Sequence, residues 1–277
     1  MSTRPATLPD FENPPVIEVL LSVQFERITK LQTVHAGYLW DLFKKDFPHV
    51  QEHTPLNPTF ETFGTKPAVG GVSLELRSGP LPFPRLWFLN DNETQLIQIQ
   101  PDRFIHNWRK VQENDIYPRY ENIKARYLEE LTTLERFFHD RQLGDFQPNQ
   151  CEVTYVNYVL SVEEENICTE PETVFRFLRQ EFAPQLFEHL EDASFQVRFV
   201  LFSDDKRPTG RLLVNARPAL SSDGKPMIAL TLTARGTPSA PTLDAASEFL
   251  DFGRDKIVRA FAELTTETMH RRWGRKQ

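Results

Sequence analysis

Apolar residues along this chain recur either in short strand-like runs or in longer stripes with helical spacing. Residues 16–25 follow two prolines and are rich in β-branched and aliphatic side chains, which indicates a buried strand. Residues 35–47 then carry apolar side chains one helical turn apart, so we predict a helix that ends at Pro48. From residue 54 to residue 84, frequent prolines and glycines predict long turns around one or two short strands, including one at 72–76.

Strand signals return at 85–89 and at 97–100, where strict alternation predicts a sheet with one solvated face. A long helix should follow Pro118, because apolar residues fall on one stripe and charged residues occupy the rest. The second half of the chain repeats this order. Its predicted elements are a strand at 151–160, a helix at 172–182, strands near 195–203, 210–217 and 226–234, and a final helix.

Three short sequence matches relate the two halves, with nearly the same offset and in the same chain order. The matched pairs are Glu18-Val19 with Glu152-Val153, residues 39–47 with residues 174–182, and Glu130-Leu131-Thr132-Thr133 with Glu263-Leu264-Thr265-Thr266. We therefore predict an α+β fold of two tandem related β-α-β-β-β-α units. Each unit would be an antiparallel sheet covered by a long helix, as in a helix-grip or TBP-like duplication. The two sheets could also join edge to edge, which would remove exposed strand edges.

The predicted domain organisation is an N-terminal arm at 1–13, a first α+β unit at 14–145 and a second unit at 146–277. The chain has 277 residues and a formal net charge of -7, which argues against a general affinity for nucleic acid or for anionic membranes. Cys151 and Cys168 form no C-x-x-C pair, and the first residues lack a signal-peptide pattern. We expect reduced thiols, a cytoplasmic location and no membrane partner.

Catalytic motifs are sparse in this sequence. Residues 49–53 have the H-x-x-E-H form of an inverted zinc-protease motif, but prolines on both sides leave little room for a helix. A polar loop just after a helix is the favoured interpretation, because such motifs often match by chance. Phosphate-loop, dinucleotide-binding and nucleophile-elbow patterns are absent from the sequence. We expect no enzyme activity, no cofactor and no metal, and we assign no catalytic residue.

Two clusters that combine tryptophan with basic residues are the best polar candidates for partner binding. Such clusters could stack a nucleobase and neutralise phosphate. A surface segment explains the first cluster more simply, and cations that complement a helix dipole explain the second. The clusters are Trp108, Arg109 and Lys110, and Arg271, Arg272 and Trp273.

The 22 phenylalanines raise the alternative of an apolar cavity between a curved sheet and a helix. Phenylalanines at these spacings are more often plain core. Within the first strand of each half, Gln24 and its near counterpart Asn157 are the polar groups that could bind a ligand or partner. If both face inward, they need hydrogen-bond partners.

The two ends of the sequence carry distinctive motifs. The opening has PPVIEV at 14–19 followed by QF at 24–25, and the ending has FAELTT at 261–266 and HRRWGR at 270–275. With these motifs the chain resembles a sporadically distributed bacterial protein family of about this length and of uncharacterised function. The resemblance spans both ends of the chain and implies no catalytic residues. A patchy distribution of this kind is typical of mobile genes, including defence and toxin-antitoxin cassettes.

These features favour a non-enzymatic protein-binding or regulatory protein. We expect it to be the antitoxin, immunity or regulatory component of a bacterial defence or toxin-antitoxin cassette, with a protein encoded by a neighbouring gene as its partner. The first alternative is a small-ligand-binding helix-grip-like protein. The second is a nucleic-acid-binding duplicated saddle, which would need positive sheet faces despite the net charge. A homodimer is left open.

Overall fold

The computed structural model describes residues 8–64, 82–162, 166–178 and 190–276 of the chain. These residues form one nine-stranded antiparallel sheet with two long helices on one face. The strands are β1 (Val16–Phe25), β2 (His49–His53), β3 (Arg85–Leu89), β4 (Gln95–Gln100), β5 (Arg103–Arg109), β6 (Pro148–Leu160), β7 (Phe195–Phe202), β8 (Pro208–Leu220) and β9 (Pro226–Gly236). The helices are α1 (Ala36–Phe43), α2 (Tyr120–Asp140), α3 (Leu243–Leu264) and α4 (Glu267–Arg272).

The single sheet corrects the predicted fold class. Its strand order is β2-β3-β4-β5-β1-β6-β9-β8-β7, so β1 and β6 pair in the middle. That pairing runs from Val16 opposite Asn157 to Phe25 opposite Pro148. The prediction of two helix-covered β-α-β-β-β-α units is therefore wrong, because the protein is mostly one continuous sheet. The physical reason is that β1 and β6 would each expose an unpaired edge in separate sheets, whereas pairing satisfies both edges.

The first helix predicted for the second half is not formed over its described part. Pro171–Thr173 make one 3-10 turn, and Phe175 then forms an isolated bridge with Thr265. Val174 and Phe175 are buried in the main core, which accounts for their apolar character without a helix. The predicted strand at 72–76 and the remainder of the predicted helix lie outside the described residues.

Helices α2 and α3 bury their apolar stripes against one face of the sheet. Helix α2 packs on β1 and β5, while α3 packs on β6, β8 and β9. Polar pairs also join the two helices: Lys124 Nζ lies 2.6 Å from Asp251 Oδ2, and Arg254 donates a 2.9 Å hydrogen bond to Glu121. The helices therefore form a single layer over the sheet.

Periodicity predicts most of the other elements. The strand at 16–25, the strand at 85–89 and the long helix after Pro118 are confirmed. Strands β2 and β5 were not predicted. The side chains of β2 are nearly all polar and exposed, and β5 is buried on both faces, so neither shows apolar-polar alternation. In the described part of the chain, no helix has both the length and the apolar composition needed to cross a membrane.

Candidate functional site

The two faces of the sheet differ in chemistry. We call the face opposite α2 and α3 the open face. Because side chains alternate along a strand, β1 directs Val19 and Leu21 towards the helices and Ser22 and Gln24 towards the open face. The same alternation along the nine described strands places seven arginines and two glutamates on the open face. These are Arg85, Arg103, Arg109, Arg198, Arg211, Arg217 and Arg235, with Glu18 and Glu152.

Residues 54–64 cross the open face from β4 to β8, and we call this segment the strap. The main-chain N–H and carbonyl of Leu56 each form a 3.0 Å hydrogen bond with the side-chain amide of Gln100. Further along, the N–H of Thr59 donates to Gln24 Oε1 over 2.9 Å. Side chains of the sheet thus satisfy backbone groups of the strap, so the strap needs no strand pairing to be held in place.

Glu61 of the strap joins two of the open-face arginines. Its carboxylate contacts Arg211 and lies 3.5 Å from Arg235. Arg235 also donates a 2.5 Å hydrogen bond to Glu152 of β6. The Glu61 side chain is only 8% exposed, so solvent screens these ion pairs less than it screens a surface pair. The strap therefore neutralises part of the positive charge of the open face.

Strands β7 and β8 carry several exposed side chains on the open face. Arg198 and Arg217 are exposed there, beside the exposed amide of Asn215. Val200 is 42% exposed and Phe202 at the end of β7 is 53% exposed. Arginine and aromatic side chains are enriched at protein interfaces.

The two edge strands of the sheet contrast strongly. Strand β2, with the sequence HVQEH, is short and polar. Strand β7, with the sequence FQVRFVLF, is longer, and its only charged residue is Arg198. Within the described residues, β7 pairs with β8 on one side and with no strand on the other. A long apolar edge offers a row of backbone hydrogen-bonding groups to another chain, whereas short and charged edges resist such pairing.

The two tryptophans of the predicted basic clusters lie in the core on the helix side of the sheet. Trp108 is 3% exposed and packs against Tyr117, with ring centroids 5.3 Å apart. Trp273 is 5% exposed, with its ring 5.0 Å from that of Phe261. Neither indole is presented on the open face, so as placed neither could stack a nucleobase there.

The basic residues of these clusters lie on different elements, and of the four only Arg109 is among the open-face arginines. Arg109 forms a 3.0 Å ion pair with Glu93, and Lys110 is exposed just after β5. Arg271 and Arg272 are exposed on the short helix α4. The structure therefore does not bring the two predicted clusters into one basic surface.

Gln24 and Asn157 are both buried, but they lie on opposite faces of the sheet. Gln24 Oε1 accepts a 2.6 Å hydrogen bond from Arg103, and its amide nitrogen donates to Asn149. Asn157 faces the helices and donates a 3.1 Å hydrogen bond to the carbonyl of Leu230. The two residues therefore serve different sites.

The H-x-x-E-H segment is strand β2, so its prediction as a loop is wrong. His49 lies 3.2 Å from Asp91, and the ring of His53 packs 4.0 Å from that of Trp87. Across the described ranges, no group of three His, Cys, Asp or Glu side chains could hold a metal ion. The arrangement explains both histidines through local contacts.

Apart from Gln24 and Arg109, the sequence analysis missed the charged and polar residues of the open face, although one signal was available. Arg211, Asn215 and Arg217 alternate with apolar residues in a strand that periodicity does predict. The chain matches no protein-family model, no curated protein and no solved structure.

Proposed function

We propose that this is a non-enzymatic protein-binding protein whose partner adds an extended segment to β7. The observation that carries the proposal is the contrast between the apolar edge strand β7 and the short polar edge strand β2. Added strands gain affinity from main-chain hydrogen bonds and specificity from alternate side chains. Strand β7 offers both, because Val200 and Phe202 are exposed beside its backbone edge.

The chemistry next to β7 favours a partner segment with acidic side chains. Arg198 of β7 lies opposite Leu213 of β8, and Arg217 lies further along the same face of β8. Complementary charge steers the encounter and fixes the register of a partner, while apolar contacts supply much of the affinity. The partner of this proposal therefore has an extended segment that alternates apolar and acidic residues.

The finer proposal is a regulatory role as the antitoxin, immunity or regulatory component of a bacterial cassette. Its support is the resemblance of the two ends of the sequence to a sporadically distributed bacterial family. Strand addition would provide the mechanism of regulation, because a partner segment that is bound to β7 cannot take part in the partner's own activity. The partner in this proposal is encoded by a neighbouring gene.

The test is a pull-down from extracts of the native host at physiological salt, with wild-type protein and two matched variants. Val200→Lys places a charge on β7, and Val50→Lys places the same charge on β2, where Val50 is 48% exposed. We expect wild type and Val50→Lys to retain one stoichiometric partner and Val200→Lys to lose it. Recovery of no protein by wild type, or equal recovery by all three, would overturn the proposal.

A second proposal, nucleic-acid binding by the open face, is supported by its seven arginines and two glutamates. A polyanion would have to displace Glu61, which contacts Arg211 and Arg235. Glu61→Gln should then strengthen binding of a fluorescent oligonucleotide, and binding should weaken steeply with added salt. If neither wild type nor Glu61→Gln binds DNA or RNA oligonucleotides at low salt, this second proposal fails.

A further inference from the structure

The two halves of the sheet have matching strand orders on either side of the β1–β6 pair, except at one end. From the centre outwards, β1 is followed by β5, β4 and β3, and β6 is followed by β9, β8 and β7. Strand β3 then pairs antiparallel with β2, from His49 opposite Leu89 to His53 opposite Arg85. Within the described ranges, no strand takes the corresponding place beside β7. The outer edge of β7 is therefore a place where one more antiparallel strand would complete the match.

Apolar side chains are exposed on both faces of β7. On the helix side of the sheet, Phe199 is 47% exposed, and Phe177 is also exposed, with its ring 4.9 Å from that of Phe195. On the open face, Val200 and Phe202 are exposed. Burial of apolar surface is the main favourable contribution to association. A strand that itself has apolar side chains on both faces would therefore cover this edge well, and β7 is such a strand.

The sequence of β7 is compatible with antiparallel pairing to a second copy of itself. Residues directly opposite each other in antiparallel strands lie on the same face of the sheet. A two-fold axis at Phe199 therefore places Arg198 opposite Val200 of the second copy, and Phe199 opposite its own equivalent. Because Arg198 is the only charged residue of β7, this register places no like charges directly opposite each other.

Neighbouring registers are less favourable. An axis at Arg198 would place the two arginines directly opposite each other, which is destabilising. An axis at Val200 would leave residues 196 and 197 without an opposite residue in β7. With the axis at Phe199, every residue from 196 to 202 lies opposite a residue of the same range. The axis at Phe199 therefore gives the longest pairing that avoids a direct contact between like charges.

We propose that two copies of the chain pair through β7 as antiparallel strands about a two-fold axis at Phe199. The two sheets then form one continuous sheet, with the helix layers of both copies on the same side. The contact involves one strand from each copy and is small beside the interfaces of permanent dimers, so we expect a reversible dimer with a micromolar dissociation constant.

The dimer occupies the edge to which the protein partner proposed above adds its segment. A partner segment and the second copy therefore compete for β7, and the dimer is a closed state of the partner-binding edge. This regulatory consequence rests on the proposed protein-binding function, whereas the dimer itself does not. At concentrations well below the dissociation constant of the dimer, β7 is free to bind the partner.

The first test changes the charge at Val200, which lies opposite Arg198 of the second copy in the proposed register. Val200→Lys places like charges opposite each other at two symmetric positions, whereas Val200→Glu places opposite charges there. We expect Val200→Lys to dimerise at least about tenfold more weakly than Val200→Glu. Val50→Lys on the other edge strand, β2, is the control and should dimerise like wild type.

Sedimentation equilibrium at physiological salt measures these affinities, from about 1 to about 200 µM, a range that spans micromolar dissociation constants. Wild type should pass from the mass of one chain to the mass of two. A wild-type chain that stays monomeric over this range would overturn the inference. So would equal dimerisation of Val200→Lys and Val200→Glu.

Cysteine cross-linking locates the two-fold axis. Phe199→Cys places two thiols opposite each other, where Cα atoms lie about 4.5–5.5 Å apart, within the range of a disulfide. Phe202→Cys is the matched control, because its two thiols would be about 20 Å apart along the strands. Cys151 and Cys168 are buried in both variants. We expect an interchain disulfide after mild oxidation of Phe199→Cys and none for Phe202→Cys, and equal cross-linking of the two would refute the register.

The cross-linked Phe199→Cys dimer also separates this inference from the proposed function. In the pull-down described above, the oxidised dimer should recover no partner, and reduction should restore recovery. Equal recovery by the oxidised and reduced forms would refute the closed state. A wild-type chain that recovers a partner but never dimerises would overturn this inference alone, whereas a chain that dimerises through β7 and recovers no partner would overturn the proposed function alone.

Discussion

Glu61 in the strap lies 3.5 Å from Arg235 of β9, and the same carboxylate contacts Arg211 of β8. One residue from the first half of the chain is thus tied to two strands of the second half. The contact holds the strap over the middle of the open face. Arg198 of β7 and Arg217 of β8 stay exposed on the same face.

Loss of the Glu61 carboxylate should destabilise the fold. Glu61→Ala removes the carboxylate that pairs with Arg211 and one of the two carboxylates that pair with Arg235. The Glu61 side chain is only 8% exposed, so water replaces the lost partner poorly. We expect a loss of about 2 kcal/mol in the free energy of unfolding, measured by urea denaturation. Asp41→Ala is the control, because Asp41 is 65% exposed in its pair with Lys44. This substitution should lower the free energy of unfolding by less than about 1 kcal/mol. Equal losses for the two variants would show that Glu61 does not anchor the strap.

Two glycines should respond oppositely to alanine substitution. A Cβ on Gly236 in β9 would lie 2.2 Å from the carbonyl oxygen of Thr209, so the backbones of β8 and β9 would have to separate. We expect Gly236→Ala to cost about 2–3 kcal/mol. Gly37 in α1 has nothing within 4 Å of such a Cβ, and Gly37→Ala should gain about 0.5–1 kcal/mol through helix propensity. Thermal denaturation of both variants measures these changes in stability. A Gly236→Ala protein as stable as wild type would contradict the close packing of β8 on β9.

Both cysteines should be unreactive in the folded protein. Cys151 is 1% exposed and Cys168 is 8% exposed, and burial raises the pKa of both thiols. Because the thiolate is the reactive form, Ellman's reagent should detect almost no thiol in the native protein at neutral pH. After denaturant is added, it should detect both thiols. Rapid reaction of either thiol in the native state would disagree with the packing of β6 or of the segment after it.

Acid should weaken the C-terminal region through His270, which is 1% exposed. Its Nδ1 accepts a 2.8 Å hydrogen bond from Arg275, so the ring is neutral when folded. Burial, followed by the charge of Arg275, lowers its pKa below the ordinary 6.5, against the opposing effect of Glu267. The unfolded chain therefore binds more protons below pH 6.5, and stability falls as pH is lowered from 6.5 towards the folded pKa.

His270→Asn removes this proton uptake. The stability difference between wild type and variant should therefore narrow as pH falls from neutral to mildly acidic, when both are followed by thermal denaturation. A difference that is independent of pH would show that His270 does not titrate in this way.

Local periodicity carries much information about the elements and little about how they assemble. Strand β1 and helix α2 are predictable because each has an uninterrupted apolar pattern of one period. The pairing of β1 with β6 joins residues more than a hundred positions apart, and no local pattern specifies it. Val174 and Phe175 resemble a helical stripe in sequence, yet both are buried in an irregular segment.

The candidate site was predictable only in part. Alternating arginines of β8 mark a solvated sheet face. Glu61, by contrast, lies in a segment whose sequence predicts long turns around one or two short strands. Its role depends on the path of the strap across strands distant in sequence. Trp108 and Trp273 were predicted as surface residues for partner binding, but both are buried. A basic neighbour in sequence does not place an indole at the surface.

The most direct test of the proposed protein-binding role is amide hydrogen exchange of the protein alone and in complex with the partner recovered in the pull-down. Strand addition predicts slower exchange of amides in Phe195–Phe202, because backbone groups on the outer edge of β7 become hydrogen-bonded. Exchange in His49–His53 of β2 should not change. Protection confined to regions other than β7 would contradict strand addition at this edge.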